Sequence, residues 1–397
     1  MRLPAIHARR RLNVLGINSG TSIDSVDLAL VSVARRSDGC TCRYITGGER
    51  KYPPALRQRL LSAAESSALP FLELMSLDRE LGRFMGQTAR AFAKRLANRR
   101  IPVDCVASHG QTIQHLPRQV TLSGRQESAT LQIGSLETIA AVTGRITVGD
   151  FRQADIAVGG EGAPITAGAM HRLFADTRTS RLIVNIGGIA NYFYLPDRRA
   201  TSLVRAADCG PGNIICDALA RRLFDLPYDR GGAAALDGTV SRRMLSLLMA
   251  HPAFTATRSV STGRESFGAD LVERILTLGR ELSLSPSDLM ATAAQLTVEG
   301  IVMSVTRLTD THAPAGKLYL TGGGSRNRFF VRGLRDRLVG MSVERIDTLG
   351  IPSGQVEAAA YAVMGEACLR GESLAAPVTG RRRDAHPVLG KIAQPTL

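Results

Sequence analysis

Asp24 and Asp27 close a turn of small residues, Gly20-Thr21-Ser22, into which an apolar run from Leu12 to Ile17 leads. Glycine and small hydroxyl residues let backbone N–H groups come close to an oxyanion, and a carboxylate beside them can hold a hydrated Mg2+ against it. The pattern reads as a phosphate grip, and equally as an ordinary tight turn. It recurs where Leu182 to Ile186 runs into Gly187-Gly188 and returns through Ile189-Ala190-Asn191. A third cluster, Gly322-Gly323-Gly324, follows the β-type run Leu318-Tyr319-Leu320-Thr321 and precedes a helical pattern, an order that offers backbone donors and a flat surface to a nucleotide. Two strand-turn-strand hairpins of the same design suggest a duplicated fold, although each glycine turn also serves as a tight connection in an α/β protein.

Between these turns stand residue types suited to proton transfer and hydroxyl recognition. Ser108-His109-Gly110-Gln111-Thr112 follows a strand-like run from Ile101 to Ala107. A strand end is where α/β proteins place ligand contacts, and also where a histidine serves as a structural hydrogen-bonding residue. Gly149-Asp150-Phe151-Arg152-Gln153-Ala154-Asp155 precedes the loop Gly159-Gly160-Glu161-Gly162-Ala163-Pro164. Two aspartates and an arginine beside such a loop supply what a sugar kinase needs, a general base for an oxygen nucleophile and groups that hold hydroxyls. Turn capping by Asp150 and Asp155 is the structural alternative. Ala207-Asp208-Cys209-Gly210-Pro211-Gly212-Asn213 opens a helix from Ile214 to Leu223, with a carboxylate able to face Mg2+. Glu357 lies in the first turn of an Ala-rich helix, a place the helix dipole favours for glutamate in any case.

The elements that must position these groups are those of a two-domain α/β protein. A chain of 397 residues is long enough for two domains, each with its own core. Its hydrophobic content of 44% and mean hydropathy close to zero belong to a soluble globular protein. No apolar run is expected to span a membrane, and the basic segment Met1 to Arg11 leads into a strand-like run rather than a signal-peptide core, so the expected location is cytoplasmic. Helical periodicity covers Pro54 to Arg100, Ser135 caps a helix ending at Thr143, and Ser287-Asp288 caps a long helix through about Arg307. The six cysteines lack CxxC and zinc-ligand spacing and read as reduced, mostly buried thiols, with Cys40 and Cys42 forming a lone CxC. A net charge of +15 raises nucleic-acid binding, but the arginines are scattered, Trp is absent and aromatics total 5%, so the expectation is no nucleic-acid and no membrane partner. Without a GxxxxGK[ST] loop or a protein-kinase HRD and DFG set, any ATP would bind between two strand-turn-strand domains.

Taken in order, Gly20-Thr21-Ser22-Ile23-Asp24-Ser25-Val26-Asp27, Ser108 to Thr112, Gly149 to Arg152 with Asp155, Gly159 to Pro164, Asn185 to Asn191, Asp208 to Asn213, Ser261 to Glu265, Gly322 to Gly324, Glu357-Ala358 and the ending Val388 to Ile392 make the chain resemble the anhydro-N-acetylmuramic acid kinase family over nearly its whole length. The resemblance implies an α/β fold of two ribonuclease-H-like (actin/Hsp70/hexokinase-type) domains with ATP in an interdomain cleft. Residues 1–150 plus 356–397 would form the first domain, and 151–355 the second, carrying most of the substrate and adenosine contacts. The implied reaction opens the 1,6-anhydro bond of anhydro-N-acetylmuramic acid with water and passes the γ-phosphoryl of ATP to O6. By the same resemblance, Asp155 is the general base and Glu357 orients substrate or water. His109, Gln111, Arg152 and Gly160 would contact the anhydrosugar. Gly20, Thr21, Ser22, Asp24, Asp27, Gly187, Gly188, Asn191, Asp208, Gly210, Gly212, Asn213, Gly322, Gly323 and Gly324 would hold ATP, with Asp24 and Asp208 on Mg2+. A homodimer is also implied. Ser25 stands where the family has Gly, Cys209 where Thr is common, Val356 where Lys is common, and Ile165-Thr166-Ala167 where Leu-Val-Pro is usual. Levoglucosan is the alternative sugar, and a non-catalytic ATP and sugar sensor of the same fold is the alternative from another class.

Overall fold

The computed structural model describes residues 3, 6, 8–20, 22–36, 39–66, 68–122, 124–200, 203–250, 254, 267–309, 316–382 and 384–395. They divide into one unit of Met1–Ala175 with Gln355–Leu397 and another of Asp176–Gly354. The first begins with an antiparallel meander, β1 (Arg11–Ser19), β2 (Ser25–Arg36) and β3 (Gly39–Lys51). Helices α1 (Pro54–Glu65) and α2 (Phe71–Ala97) follow, then β4 (Cys105–Ser108) parallel to β1. A hairpin, β5 (Gln111–Leu122) and β6 (Arg125–Ile133), leads to α3 (Leu136–Thr143), β7 (Thr147–Gly149) parallel to β4, the one-turn α4 (Gln153–Ile156) and α5 (Ala167–Phe174).

The second unit repeats the scheme. Its meander is β8 (Arg181–Ile186), β9 (Ile189–Leu195) and β10 (Arg205–Pro211). Helices α6 (Ile214–Phe224), α7 (Ala233–Leu236), α8 (Arg242–Met249), α9 (Ala269–Glu281) and α10 (Pro286–Thr309) come next, before β11 (Lys317–Thr321), α11 (Arg328–Arg337) and β12 (Ser342–Arg345). Strand β11 lies parallel to β8 and to β12. The chain then returns to the first unit as α12 (Val356–Leu369) and β13 (Lys391–Ala393), the latter antiparallel to β7. The sheet orders β13-β7-β4-β1-β2-β3 and β10-β9-β8-β11-β12 both contain a three-stranded meander extended by two parallel strands. Two ribonuclease-H-like units therefore make up this α/β fold.

In the first unit β1 is apolar on both alternations because both its faces are covered. Leu15 and Ile17 join Leu28, Leu30, Leu60, Leu81, Met85 and Ile139 in a core beneath α1, α2 and α3. On the other face, Gly16 leaves room for α12. A Cβ there would overlap the Ala358 carbonyl oxygen and stand 2.9 Å from the Ala362 nitrogen. Every residue of α12 is buried except Glu357. In the second unit Val184, Leu320, Ile215, Met290 and Ile301 belong to one core. The helix α10 at its centre is long and apolar enough to cross a membrane by length and composition, and most of its apolar stretch is buried in the protein.

Some boundaries differ from those expected. The first unit runs to residue 175 rather than 150, since α5 packs on α12 and β3, and α4 packs on β6 and meets Thr379 through Asp155. The periodic stretch 54–100 is two helices, with Pro70 preceding the second. The cap of α10 is Ser285, one residue before Pro286. Its hydroxyl accepts from Asp288 N at 3.2 Å while Ser285 N donates to Asp288 Oδ2 at 3.3 Å, a reciprocal capping box. Ser135 caps α3 as expected, accepting from Thr138 N at 3.1 Å.

Gly16→Ala is expected to destabilise the protein by about 1–3 kcal/mol or more, the range for overpacking. Gly316→Ala, whose new methyl would meet no atom within 4 Å, should stay within about 0.5 kcal/mol of the parent. Thermal and denaturant unfolding of the two variants checks the pair.

Candidate functional site

At the β1–β2 turn, the buried Ile23 is held at φ 52° and donates its N–H to the Gly20 carbonyl at 3.2 Å. Open space lies where a Gly20 side chain would project. Ser22 is exposed, and Thr21 lies outside the described residues. The two turn carboxylates, grouped together by sequence, differ in environment. Asp24 is exposed and accepts from Arg57 Nη2 at 2.8 Å, so its charge is already matched. Asp27 faces Glu357 and its β3 partner Glu49. Burial, followed by those two negative charges, pushes its carboxyl up to about 7 against a hydrogen bond from Ser25. Asp27 is thus the turn carboxylate short of positive charge. Among the described residues no group of three His, Cys, Asp or Glu could hold a metal by itself. Mg2+ commonly needs only one or two carboxylates beside phosphate oxygens and waters, so the turn fits a Mg2+ that arrives with phosphate.

Asn18, opposite Asp27 in the β1–β2 ladder, donates from Nδ2 to Glu357 Oε2 at 2.7 Å. Glu357 keeps contact with solvent, yet the protein crowded around it raises its carboxyl above the ordinary range, opposed by Asn18 and Arg152. Arg152 donates from Nε to His109 Nε2 at 3.2 Å and from Nη1 to the Gly162 carbonyl at 2.8 Å. The His109 ring stacks on Tyr361 at 4.6 Å, and Phe151 stacks on Tyr361 at 5.5 Å. Burial, then the Arg152 charge, holds His109 well below its usual pKa. With Nε2 accepting, the proton of the neutral ring is assigned to Nδ1, which is buried without a protein partner. Gln111 Oε1 accepts from the Ser19 hydroxyl, which accepts from the Tyr52 hydroxyl at 2.8 Å.

Asp155, in α4, is fully buried. Its Oδ2 accepts from Gly162 N at 2.9 Å and its Oδ1 from the Thr379 hydroxyl at 2.7 Å. Burial raises its pKa, and Thr379, the Gly162 N–H and the Arg381 charge act against that rise. The loop through Gly159 and Gly160 lies directly on the carboxylate, so that a Cβ at Gly160 would overlap it. Asp155, Glu357, His109, Gln111, Arg152 and Gly160 all belong to the first unit, whereas sequence placed Asp155, Arg152 and Gly160 in the second.

In the second unit three glycine motifs distant in sequence meet at one end of the sheet. Gly212 N and Asn213 N donate to the carbonyls of Gly188 and Gly187, each at 2.8 Å, and Asn213 Nδ2 reaches the Gly187 carbonyl at 3.0 Å. Gly322, with φ 79°, ends β11 against Asn185 and Ile186, Gly324 lies on Ile186, and the nearest side chain to Gly323 is Asn213. Asp208 pairs with Asn191 in the β9–β10 ladder, just before a bulge at Gly210. Asn191 Oδ1 is buried without a partner among the described residues, and nothing fills the space beside Gly188. Open glycine backbone and an orphaned acceptor fit a ligand that carries hydroxyl or amine donors, as a nucleotide does.

Comparison with known proteins shows the family of the chain. The model of the family described as anhydro-N-acetylmuramic acid kinase matches residues 12–394. The chain belongs to the anhydro-N-acetylmuramic acid kinase family. Similar members include the anhydro-N-acetylmuramic acid kinase of Salinibacter ruber, 34% identical over 394 residues with 99% of each chain covered. That of Trichormus variabilis is 36% identical over 359 residues, covering 88% of this chain and 89% of its own. Membership makes this chain a carbohydrate kinase, a phosphotransferase.

Tyr361, Asn18 and Thr379 are among the side chains of the site that escaped sequence reasoning. Tyr361 lies one helical turn beyond Glu357, a spacing that could have revealed it. Asn18 reads as one polar residue in an apolar strand, and Thr379 carried no signal. The family-like segment Ser261 to Glu265 lies outside the described residues. Of the six cysteines, Cys105, Cys209, Cys216 and Cys368 are buried, Cys40 and Cys42 half-buried, and all are free thiols. A hydrogen bond with the neighbouring Cys40, and then burial, push the Cys42 thiol strongly up, which disfavours the reactive thiolate.

Gly160→Ala is expected to lower kcat by about tenfold or more, on the scale of misplacing a catalytic group, with little change in nucleotide affinity. Steady-state kinetics beside nucleotide titration checks it. Because the folded state holds the Asp27 proton more tightly than the unfolded chain, stability should fall as pH rises from about 4 to about 7. Asp27→Asn should remove that decline and raise Tm at pH 8 in the absence of Mg-nucleotide, as read from melting curves across this range.

Proposed function

We propose that this chain opens the 1,6-anhydro ring of anhydro-N-acetylmuramic acid with water and phosphorylates O6, giving N-acetylmuramic acid 6-phosphate and ADP. Asp155 carries the reading: a buried carboxylate held at both oxygens by donors suits a general base that must keep one geometry. It would take a proton from the water that attacks the anomeric carbon. As the new C1–O bond forms, the C1–O6 bond breaks and O6 takes up the phosphoryl group. Glu357, oriented by Asn18, would hold a sugar hydroxyl or the water. Burial of Asp155 away from bulk solvent would limit attack to a water admitted with the sugar.

Arg152 supports the choice of sugar. It is the cation beside His109 and Glu357, and a lactyl carboxylate needs one where levoglucosan does not. Val356, where the family commonly has Lys, is buried one residue before Glu357, so this departure lies in the helix packing. ATP supplies the phosphoryl group. In the first unit the turn from Gly20 to Asp27 would meet its phosphates, with Asp27 available to Mg2+, and in the second unit Gly187, Gly188, Asn191, Asn213 and Gly322 to Gly324 would meet its nucleoside side. Such a reaction belongs in the ATP-containing cytoplasm, in the recycling of cell-wall sugars.

Purified protein with Mg-ATP is expected to release ADP with anhydro-N-acetylmuramic acid and to yield a product heavier than the sugar by water plus a phosphoryl group. Preference for levoglucosan would reassign the substrate, and silence with both sugars would favour a sensor. Asp155→Asn should lower kcat by about two orders of magnitude or more with nucleotide affinity unchanged, on the scale of a lost general base.

A further inference from the structure

The C-terminal segment of the first unit reaches Asp155 through a single side chain. Residues Pro377–Thr379 form one 3-10 turn, ended by Gly380 in the left-handed region at φ 74°. Arg381 fixes the turn from within: Nε donates to the Ala385 carbonyl and Nη2 to the Ala375 carbonyl, each at 2.8 Å, and Nη1 to the Ala376 carbonyl. The same segment is tied to the loop over the base, since Glu161 N donates to the Thr379 carbonyl at 2.8 Å. Thr379 is 1% exposed, and among the described residues its hydroxyl is one of two donors on the Asp155 carboxylate.

We propose that Thr379 is a positioning residue for Asp155, held by the Arg381-braced turn so that its hydroxyl fixes the carboxylate plane. The proposal rests on Asp155 acting as general base. The two donors differ in kind. The Gly162 N–H can only donate, whereas the Thr379 hydroxyl can turn and accept. Before proton transfer the hydroxyl donates to Oδ1. Once Asp155 has taken a proton from water, a hydroxyl that rotates can accept from the acid, which the backbone N–H at Oδ2 cannot do. Oδ1 is therefore the oxygen on which the proton can rest without opposing a fixed donor. The charged group facing Asp155 is Arg381, which favours the carboxylate, and Thr379 acts in the same direction. Removing the hydroxyl should leave the carboxylate looser and less readily ionised.

The pH profile of kcat separates this role from a merely structural one. Thr379→Val is expected to lower kcat about 10- to 100-fold, move the acid limb of the profile to higher pH, and leave KM for ATP within about threefold, the losses typical of a disturbed proton transfer. Thr379→Ser should restore both rate and acid limb to within about threefold. In an Asp155→Asn background the valine change should have no further effect on kcat, because its partner carboxylate is gone. Should Thr379→Val fold poorly, Thr379→Ala, which removes the hydroxyl from a smaller side chain, is read by the same profile. An unmoved acid limb in the valine or alanine variant, or failure of serine to restore it, would overturn the proposal. A near-normal rate for Asp155→Asn alone would instead overturn the general-base reading on which it rests.

Discussion

The seating of α12 on β1 is the contact on which the first unit depends. Backbone approaches backbone there because Gly16 carries no side chain and the facing helix residues are mainly alanine. A helix without a polar face gains stability only if it is covered all round, and α12 is buried at every position but one. The exception is Glu357. Fixing the helix to the strand brings Glu357 to the side chain of Asn18 and Tyr361 to the ring of His109. Residues 339 positions apart, Asn18 and Glu357, thus come to share one site.

Electrostatics then sets what those groups can do. Burial, and after it the negative charge of Glu357 and Glu49, raises the Asp27 carboxyl, while burial raises that of Glu357 against Asn18 and Arg152. Under the proposed function a magnesium-bound polyphosphate would relieve that charge through its cation. Asp155 follows another logic. It is buried away from the acidic group, and donors from Gly162 and Thr379 make up for lost hydration. The neutral His109 beside Arg152 adds no second positive charge, which leaves the arginine as the local cation.

The second unit applies the same sheet topology to a different task. Its turns are locked to one another by backbone hydrogen bonds between Gly187, Gly188, Gly212 and Asn213. That lock makes a rigid edge with little side-chain chemistry, suited to holding a ligand rather than transforming it. The acid–base side chains named for the reaction, Asp155 and Glu357, are in the first unit, with the Asp155 loop and the returning C-terminal segment packed around them.

Sequence by itself determined the local elements and the identity of the motifs. Glycine turns after apolar runs at Gly20, Gly187 and Gly322, the Ser135 cap and the mainly apolar run of β1 are local facts, governed by backbone sterics and by burial on two faces. They sufficed to indicate a duplicated α/β fold, whereas Asp155 and Glu357 were singled out by the resemblance to a known family. Only the tertiary structure decided which unit holds Asp155, that Arg57 neutralises Asp24 while Asp27 stays under-neutralised, and that Thr379 meets Asp155 across 224 positions. Nothing local at Thr379 marks it out, because a threonine before a glycine turn reads as an ordinary turn residue. Hydrogen bonding and pKa depend on which groups are near in space, and that nearness is set by the packing of α12 and the segment after it against the first sheet.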